Sequence, residues 1–106
     1  MELRHYLTDE GGDPTQQWLD SLPDLTARVA ILRRLDRLVV GNLGDHKFCR
    51  DGVWELRIDQ GPGYRVYFGQ SGKTVILLLG GGVKRTQSRD IERAIGYWRE
   101  FKRKQL

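Results

Sequence analysis

Two arginines are predicted to face each other across a β-hairpin, where together they would suit the binding of an anion. The segments Val53–Asp59 and Gly63–Phe68 both alternate apolar and polar residues, as strands do when a sheet buries one face. A loop of residues 60–62 then sets Arg57 directly opposite Arg65. Because like charges opposed on neighbouring strands are destabilising, a fold that keeps this pair is a candidate for holding an anion.

Further basic side chains extend this cluster. Lys47 lies on the strand before the hairpin, and Lys84 and Arg85 follow an aliphatic strand after three glycines at 80–82. Arginine presents a planar fork that matches phosphate oxygens. Such a cluster can grip an RNA backbone and stabilise a phosphorane-like transition state.

Tyr67 lies opposite Glu55 in the same register and is a candidate to stack on a base or to position a proton. The alternative is a solvated sheet face on which the charged side chains pair with one another. In that case Glu55 and Arg65 form an exposed ion pair, which contributes roughly 0–1 kcal/mol.

Two other motifs do not reach the pattern of a known site. The glycines at 80–82, followed by Val83, Lys84, Arg85 and Thr86, lack the spacing of a phosphate loop. They are interpreted as positions where the backbone passes close to another strand or to a substrate. His46, Cys49 and His5 lack the number and spacing of ligands that metal sites need.

The composition favours one intracellular domain spanning residues 1–106. Cys49 is the single cysteine, so no internal disulfide is expected. No signal peptide is recognised, and the longest aliphatic run, residues 75–79, is too short to cross a bilayer. We therefore expect a cytoplasmic protein.

The net charge of +4 is unevenly distributed. Residues 84–104 carry eight basic and three acidic side chains, a balance of +5, whereas residues 1–83 balance at −1. A basic C-terminal segment favours an anionic partner, nucleic acid first, and its alternative is a solvated helix face.

The first half of the chain is predicted to form a strand and a helical hairpin. Residues 3–7 alternate as a short strand, and Asp13 with Pro14 begins a helix that ends near Leu22. Asp24 caps a second helix over residues 25–40. The apolar stripe expected to face the core of this second helix consists of Leu25, Val29, Leu32, Leu35 and Val39, widened by Ile31 and Leu38.

The second half is predicted to complete a sheet and to end in a helix. A short strand at 45–48 precedes the hairpin, a buried strand covers 74–79, and a helix runs from about Ser88 to Lys102. This order predicts an α+β domain with a mostly antiparallel sheet, an N-terminal helical hairpin and a C-terminal helix.

The chain also resembles a known family over nearly its whole length, from Trp18 to Trp98. The similarity is to the RelE/HigB-type toxins of bacterial toxin–antitoxin pairs, specifically the addiction-module killer proteins with phage-encoded relatives. The segments that carry it are residues 18–22, 33–38, 41–47, 55–59, 61–68, 77–87 and 90–91.

The resemblance implies a compact RelE-like fold and an antitoxin, of the helix-turn-helix kind, bound in the resting state. It also implies that messenger RNA is cleaved on the ribosome without a metal or other cofactor. In that reaction the ribose 2′-hydroxyl attacks its own 3′ phosphate, which leaves a cyclic phosphate and a free 5′-hydroxyl. The chemistry needs a base, an acid and charge stabilisation.

The resemblance also assigns roles to individual residues. Arg65 matches the family's phosphate-stabilising arginine, and Arg57 has a place beside it. Lys84 or Arg85 matches the basic position after the last strand, and Lys47 falls near the family's substrate-gripping lysines.

The proton-transfer step departs from the family pattern, because residues 86–90 contain no tyrosine. Asp90 and His46 are the candidates that remain for proton transfer. His46 also counts, together with Tyr67 and Gln87, among the candidate RNA contacts.

Two other functions stay open on the sequence. One is a ParE-like toxin that inhibits DNA gyrase, which would not need Arg65 as a catalyst. The other is a basic module that binds RNA or an antitoxin and performs no chemistry.

Overall fold

The computed structural model describes residues 1–105, which form a five-stranded sheet with helices on both faces. The elements are β1 (Glu2–His5), α1 (Pro14–Ser21), α2 (Leu25–Val39), β2 (His46–Arg50), β3 (Val53–Ile58), β4 (Tyr64–Ser71), β5 (Val75–Val83), a 3₁₀ turn (Lys84–Thr86) and α3 (Gln87–Lys104).

The strand order across the sheet is β1-β5-β4-β3-β2. Only β1 runs parallel to its neighbour β5, and the other pairs are antiparallel. The predicted α+β class is therefore confirmed, with its mostly antiparallel sheet, N-terminal helical hairpin and C-terminal helix. None of the helices in residues 1–105 combines the length and apolar character needed to cross a membrane.

The register predicted for the β3–β4 hairpin is confirmed. Leu56 pairs with Val66, and Arg57 lies directly opposite Arg65. A one-residue bulge at Leu79 interrupts the next pairing, because Tyr67 is paired with Gly80 while Phe68 is paired with Leu78.

The two N-terminal helices begin where their caps predict. The Asp13 carboxylate accepts the backbone N–H of Gln16, and Pro14 occupies the first turn. The Asp24 carboxylate accepts the N–H groups of Thr26 and Ala27.

The apolar stripe predicted for α2 is confirmed at Ile31, Leu35 and Leu38 and wrong at its other four positions. Leu25, Val29, Leu32 and Val39 are 39–67% exposed, while the helix buries Ala27, Ile31, Leu35 and Leu38. Both sets have helical spacing, so periodicity alone does not separate them.

A polar anchor on α2 accounts for the observed rotation of the helix. The Arg34 guanidinium donates to the carbonyl oxygens of Arg57 (2.6 Å), Leu43 (3.0 Å) and Asp45 (3.1 Å). These bonds hold one edge of α2 against the chain that leads into β2. The small Ala27, which is fully buried, lets the opposite edge approach the core.

Each face of the sheet carries its own core. The α1–α2 face includes Leu56, Val66 and Leu78, whereas the α3 face includes Tyr67, Leu77, Leu79, Ile95 and Trp98. Helix α3 covers only part of its face, and the end that bears Arg57 and Arg65 lies beyond that core. The charged residues therefore lie at the border between a buried core and an open surface.

Candidate functional site

Arg65 lies on β4, within the cluster of basic side chains predicted from the sequence. Only 11% of its side chain is exposed, and its Nε lies 3.3 Å from Oε2 of Glu55 on β3. The approach is out of line for a hydrogen bond, so within residues 1–105 the buried Nε makes an ion pair but no hydrogen bond. One Nη atom reaches the carbonyl oxygen of Gly63 at 3.4 Å. The guanidinium is thus fixed in position while part of its donor capacity remains unused.

Glu55 is far more buried than the sequence pattern predicts. It is 1% exposed and accepts a 2.9 Å hydrogen bond from the Gln87 side chain on α3. The expected exposed ion pair with Arg65 is therefore a buried one. Removing one partner of a buried pair costs about 3–5 kcal/mol because the other charge is left uncompensated.

A signal for this burial was present in the sequence. The apolar side of the C-terminal helix needs a sheet face to cover, and Glu55 and Tyr67 share that face with Val53 and Leu77. Both faces of the β3–β4 hairpin are therefore partly buried.

Arg57 has a separate acidic partner. Its Nη2 and Nε lie 2.8 and 3.1 Å from the same Asp45 oxygen, with Asp45 in the loop that precedes β2. Each arginine of the facing pair is thus matched by a carboxylate, which offsets the repulsion between them. The Arg57 pair is more exposed than that of Arg65, at 36% for Arg57 and 52% for Asp45.

The two arginines and Lys84 line one cavity of about 220 Å³, here called the arginine cavity. Lys84 is placed by its backbone N–H, which donates to the Gly63 carbonyl at 2.8 Å and ties the 3₁₀ turn to the hairpin loop. Arg85 is exposed on the same turn. Asp45 and Asp59 also line the cavity, so three basic groups face two acidic ones.

A shallower groove adjoins this site on the β2 side. Lys47 is the direct cross-strand partner of Glu55, and Lys47, Cys49, Glu55 and Gln87 line a space of about 170 Å³. Burial raises the pKa of the Cys49 thiol to about 11, with a smaller contribution from the nearby Glu55 charge. Lys47, Gln87 and Arg65 all lie next to the Glu55 carboxylate.

Asp90 and Tyr67 line a different, larger cavity of about 350 Å³, here called the edge cavity, between α1, β5 and α3. Asp90 is 7% exposed, and its Oδ2 accepts the Thr86 hydroxyl at 2.5 Å. The Tyr67 hydroxyl is buried and has no hydrogen-bond partner among residues 1–105. Burial, reinforced by the Glu55 charge, raises the Tyr67 pKa well above its usual value. Tyr67 therefore does not offer an exposed ring for stacking.

The glycine run allows two side chains to approach β5 from opposite faces. A Cβ on Gly82 would overlap the Asp90 carboxylate, and one on Gly81 would overlap the Trp18 ring of α1. The backbone of the glycine run is therefore in close contact with one side chain on each face of the sheet. The run lies within a paired strand and is not a phosphate loop.

His46 lies on the opposite face of the sheet from Arg65. Side chains alternate along β2, so His46 pairs with Leu56 while Lys47 pairs with Glu55. The His46 ring lies 5.7 Å from that of Trp54, and its Nδ1 is 2.8 Å from the Gly44 carbonyl oxygen. Within residues 1–105, no three His, Cys, Asp or Glu side chains are grouped as metal ligands.

Much of the positive charge of α3 is matched by acidic side chains. Arg99 lies 3.5 Å from Asp51, Arg103 pairs with Glu100, and Lys104 pairs with Asp9. This pattern fits the solvated-helix interpretation of the basic C-terminal segment. The arginine cavity therefore carries the stronger argument for an anion.

Comparison with known proteins identifies a family that the chain matches. The family model described as "Phage derived protein Gp49-like (DUF891)" matches residues 17–96, which include every residue of the arginine cavity and of the adjoining groove. A protein of Haemophilus influenzae, described as an uncharacterized protein, is 48% identical over 77 residues, which is 73% of this chain and 78% of that protein. The chain belongs to the Gp49-like family of phage-derived proteins.

Proposed function

We propose that this protein is the toxin of a toxin–antitoxin pair and that it cleaves messenger RNA on the ribosome. The observation that carries the proposal is Arg65, a nearly buried arginine paired with a buried carboxylate, in a cavity shared with Arg57 and Lys84. Membership of the phage-derived Gp49-like family, which has toxin-like relatives, supports the toxin part of this proposal.

In the proposed reaction, the ribose 2′-oxygen forms a bond to the adjacent phosphorus and the bond to the 5′-oxygen breaks. The 2′-hydroxyl gives up a proton, and the leaving 5′-oxygen takes one up. Arg65, helped by Lys84 and Arg57, stabilises the negative charge on the phosphorus centre. The reaction needs no metal.

We assign the proton acceptor to Glu55. Its carboxylate lies 3.3 Å from Arg65, whereas Asp90 lies beyond Gly82 in the edge cavity and His46 on the other face. Gln87 holds Glu55 in place. Lys47 and Arg85, at the rim, bind neighbouring phosphates.

The test is expression of the protein in a bacterial host, with primer extension on translated messages. Wild type should give codon-phased cuts, and Arg65→Lys, which keeps a cation but loses the fork, should reduce cutting about 100-fold. Arg33→Lys, an exposed arginine on α2, is the matched control. Circular dichroism checks that the variants fold.

Two further variants test the role of Glu55. Glu55→Gln should abolish cutting, while Asp45→Asn, which removes the same charge from the Arg57 pair, should only weaken it. Arrested growth with intact messages and broken DNA would refute the nuclease and point to gyrase.

A non-catalytic binding module is the second candidate. The ion pairs that occupy both arginines favour it, because structural pairs also hold buried arginines in place. Expression without growth arrest, together with tight RNA binding, would support the binding module.

The proposal includes an antitoxin partner. The surface it would cover is the exposed apolar side of α2, which a soluble protein rarely leaves bare. An amphipathic segment with acidic flanks would match this side and its neighbouring arginines. The exposed apolar residues are Leu25, Val29, Leu32, Val39 and Val40. Co-purification with the product of the adjacent gene, lost in Leu32→Glu, tests this surface.

A further inference from the structure

The edge cavity is large enough for a ligand and is not used in the proposed cleavage chemistry. It measures about 350 Å³, and pockets for small molecules begin at about 300 Å³. Its walls come from three elements: Trp18 of α1, Tyr67 of β4 and the group Asp90, Arg93 and Tyr97 of α3, with the β5 glycines between them.

Two polar groups in the wall of the cavity have unused hydrogen-bonding capacity. The Tyr67 hydroxyl, on a residue only 1% exposed, has no partner within residues 1–105. Asp90 binds Thr86 through Oδ2, while its Oδ1 has only Arg89 near it, at 4.0 Å. Since buried polar groups are rarely left unpaired, the Tyr67 hydroxyl points to a missing partner.

The remaining walls suit a flat aromatic ring. The Trp18 indole lies against the bare backbone of Gly81, and Tyr97 stacks on Tyr6 with ring centroids 4.8 Å apart. Aromatic side chains of this kind stack on unpaired nucleobases in RNA-binding proteins.

We propose that the edge cavity binds a guanine base. A carboxylate only accepts hydrogen bonds, and guanine presents two adjacent N–H donors, N1–H and N2–H, on its Watson–Crick edge. Adenine places an acceptor nitrogen at the corresponding position, which a carboxylate repels. The Tyr67 hydroxyl and the exposed Arg93 are available as donors for O6.

The position of the cavity links base recognition to the cleavage site. Arg65 is paired with Gly82, and Asp90 lies directly against Gly82 from the α3 side. A nucleotide whose phosphate reaches the arginine cavity therefore has its neighbouring base within reach of the edge cavity. This deepens the proposed function by naming the base beside the cut, and it rests on that function for its biological role but not for binding.

Binding is tested with guanosine 5′-monophosphate and adenosine 5′-monophosphate on the purified full chain. Trp18 fluorescence reports binding, and Trp18→Phe identifies its signal among those of the three tryptophans. Because both probes carry the same phosphate, the ratio of their dissociation constants reports the base alone. We expect the guanine nucleotide to bind at least tenfold more tightly.

Asp90→Asn should reduce this ratio to about one, whereas Asp36→Asn, the same change at an exposed α2 position, should leave it unchanged. Tyr67→Phe should weaken binding of the guanine nucleotide several-fold while leaving the protein folded. This variant tests the proposal if Asp90→Asn fails to fold. Equal affinities, no saturable binding, or a preference that survives both variants would overturn the proposal.

Cleavage assays separate this inference from the proposed function. A guanine preference without any RNA cutting would refute only the nuclease. Cutting that shows no dependence on a neighbouring guanine, together with equal nucleotide affinities, would refute only the guanine site.

Discussion

At the residue scale, the charged cluster is organised by pairing each cation with its own carboxylate. Arg57 pairs with Asp45 and Arg65 with Glu55, and the second pair is buried. The like-charge contact predicted from the hairpin register is present, but its cost is offset locally. What distinguishes Arg65 is its depth and an Nε that pairs with Glu55 without an in-line hydrogen bond.

Gly82 lies too close to a neighbouring side chain to accept one of its own. A Cβ there would overlap the Asp90 carboxylate, which is itself buried and bound to Thr86. We expect Gly82→Ala to lower the free energy of unfolding by about 1–3 kcal/mol, the usual cost of overpacking, as measured by urea denaturation.

Gly96 is the matched control for that measurement. It lies within α3 with open space at its Cβ, so Gly96→Ala should stabilise the protein by about 0.5–1 kcal/mol. An equal loss in both variants would contradict the close contact at Gly82.

Cys49 should react slowly with alkylating reagents in the folded protein. Its pKa of about 11 lies above that of an ordinary thiol, so near pH 8 far less of the reactive thiolate is present, and the rate should be about 100-fold lower. The rate should climb as the pH rises toward 11.

Mass spectrometry of iodoacetamide-treated protein follows this single cysteine directly. Unfolding in urea should restore ordinary reactivity at pH 8. A fast reaction in the folded state would show that the thiol is less buried than the structure places it.

At the element scale, local signals predicted most of the architecture. Caps at Asp13 and Asp24 located both N-terminal helices, and alternation located the hairpin and its register. The rotation of α2 was missed, because it depends on Arg34 reaching carbonyls 9 to 23 residues away.

The burial of Glu55 depends on tertiary packing, whereas the separation of His46 from the site follows from the alternation of side chains along β2. Which sheet face α3 covers, and how far, is decided by contacts between distant parts of the chain. The candidate site could therefore be predicted only as a set of residues on neighbouring strands, and its division into two cavities could not.

The two neighbours Ile31 and Leu32 test the rotation of α2. Ile31 is fully buried and Leu32 is 46% exposed. Ile31→Ala should cost about 2–5 kcal/mol of unfolding free energy, and Leu32→Ala below about 1 kcal/mol. Thermal and urea denaturation of both variants measure the difference.

Comparable losses of unfolding free energy in the two variants would mean that Leu32 faces the core, as periodicity predicts. The comparison is well matched, because both changes remove an aliphatic side chain of the same size from the middle of one helix.

At the scale of the whole molecule, the net charge is a poor guide to where an anion binds. The basic residues of α3 largely have acidic partners, whereas the arginine cavity holds three cations against two carboxylates. Local imbalance at a concave surface, rather than the total of +4, is what we expect to attract RNA.

The salt dependence of RNA binding tests this distribution. If about three cations contact phosphates, the logarithm of the association constant should fall with the logarithm of salt concentration with a slope near −2. Lys84→Gln should reduce that slope by about 0.7. Lys102→Gln, at the exposed end of α3, should not change it.

Fluorescence anisotropy with a short single-stranded RNA gives both slopes. An equal effect of the two substitutions would mean that binding follows overall charge.

The parallel pairing of β1 with β5 has a consequence for how the protein is made. Glu2 is aligned with Val75, 73 positions later (75 − 2), so a nascent chain cannot close its sheet until β5 has left the ribosome. Gln87, which holds Glu55, emerges later still. The site therefore cannot assemble until the chain has emerged from the ribosome at least as far as Gln87.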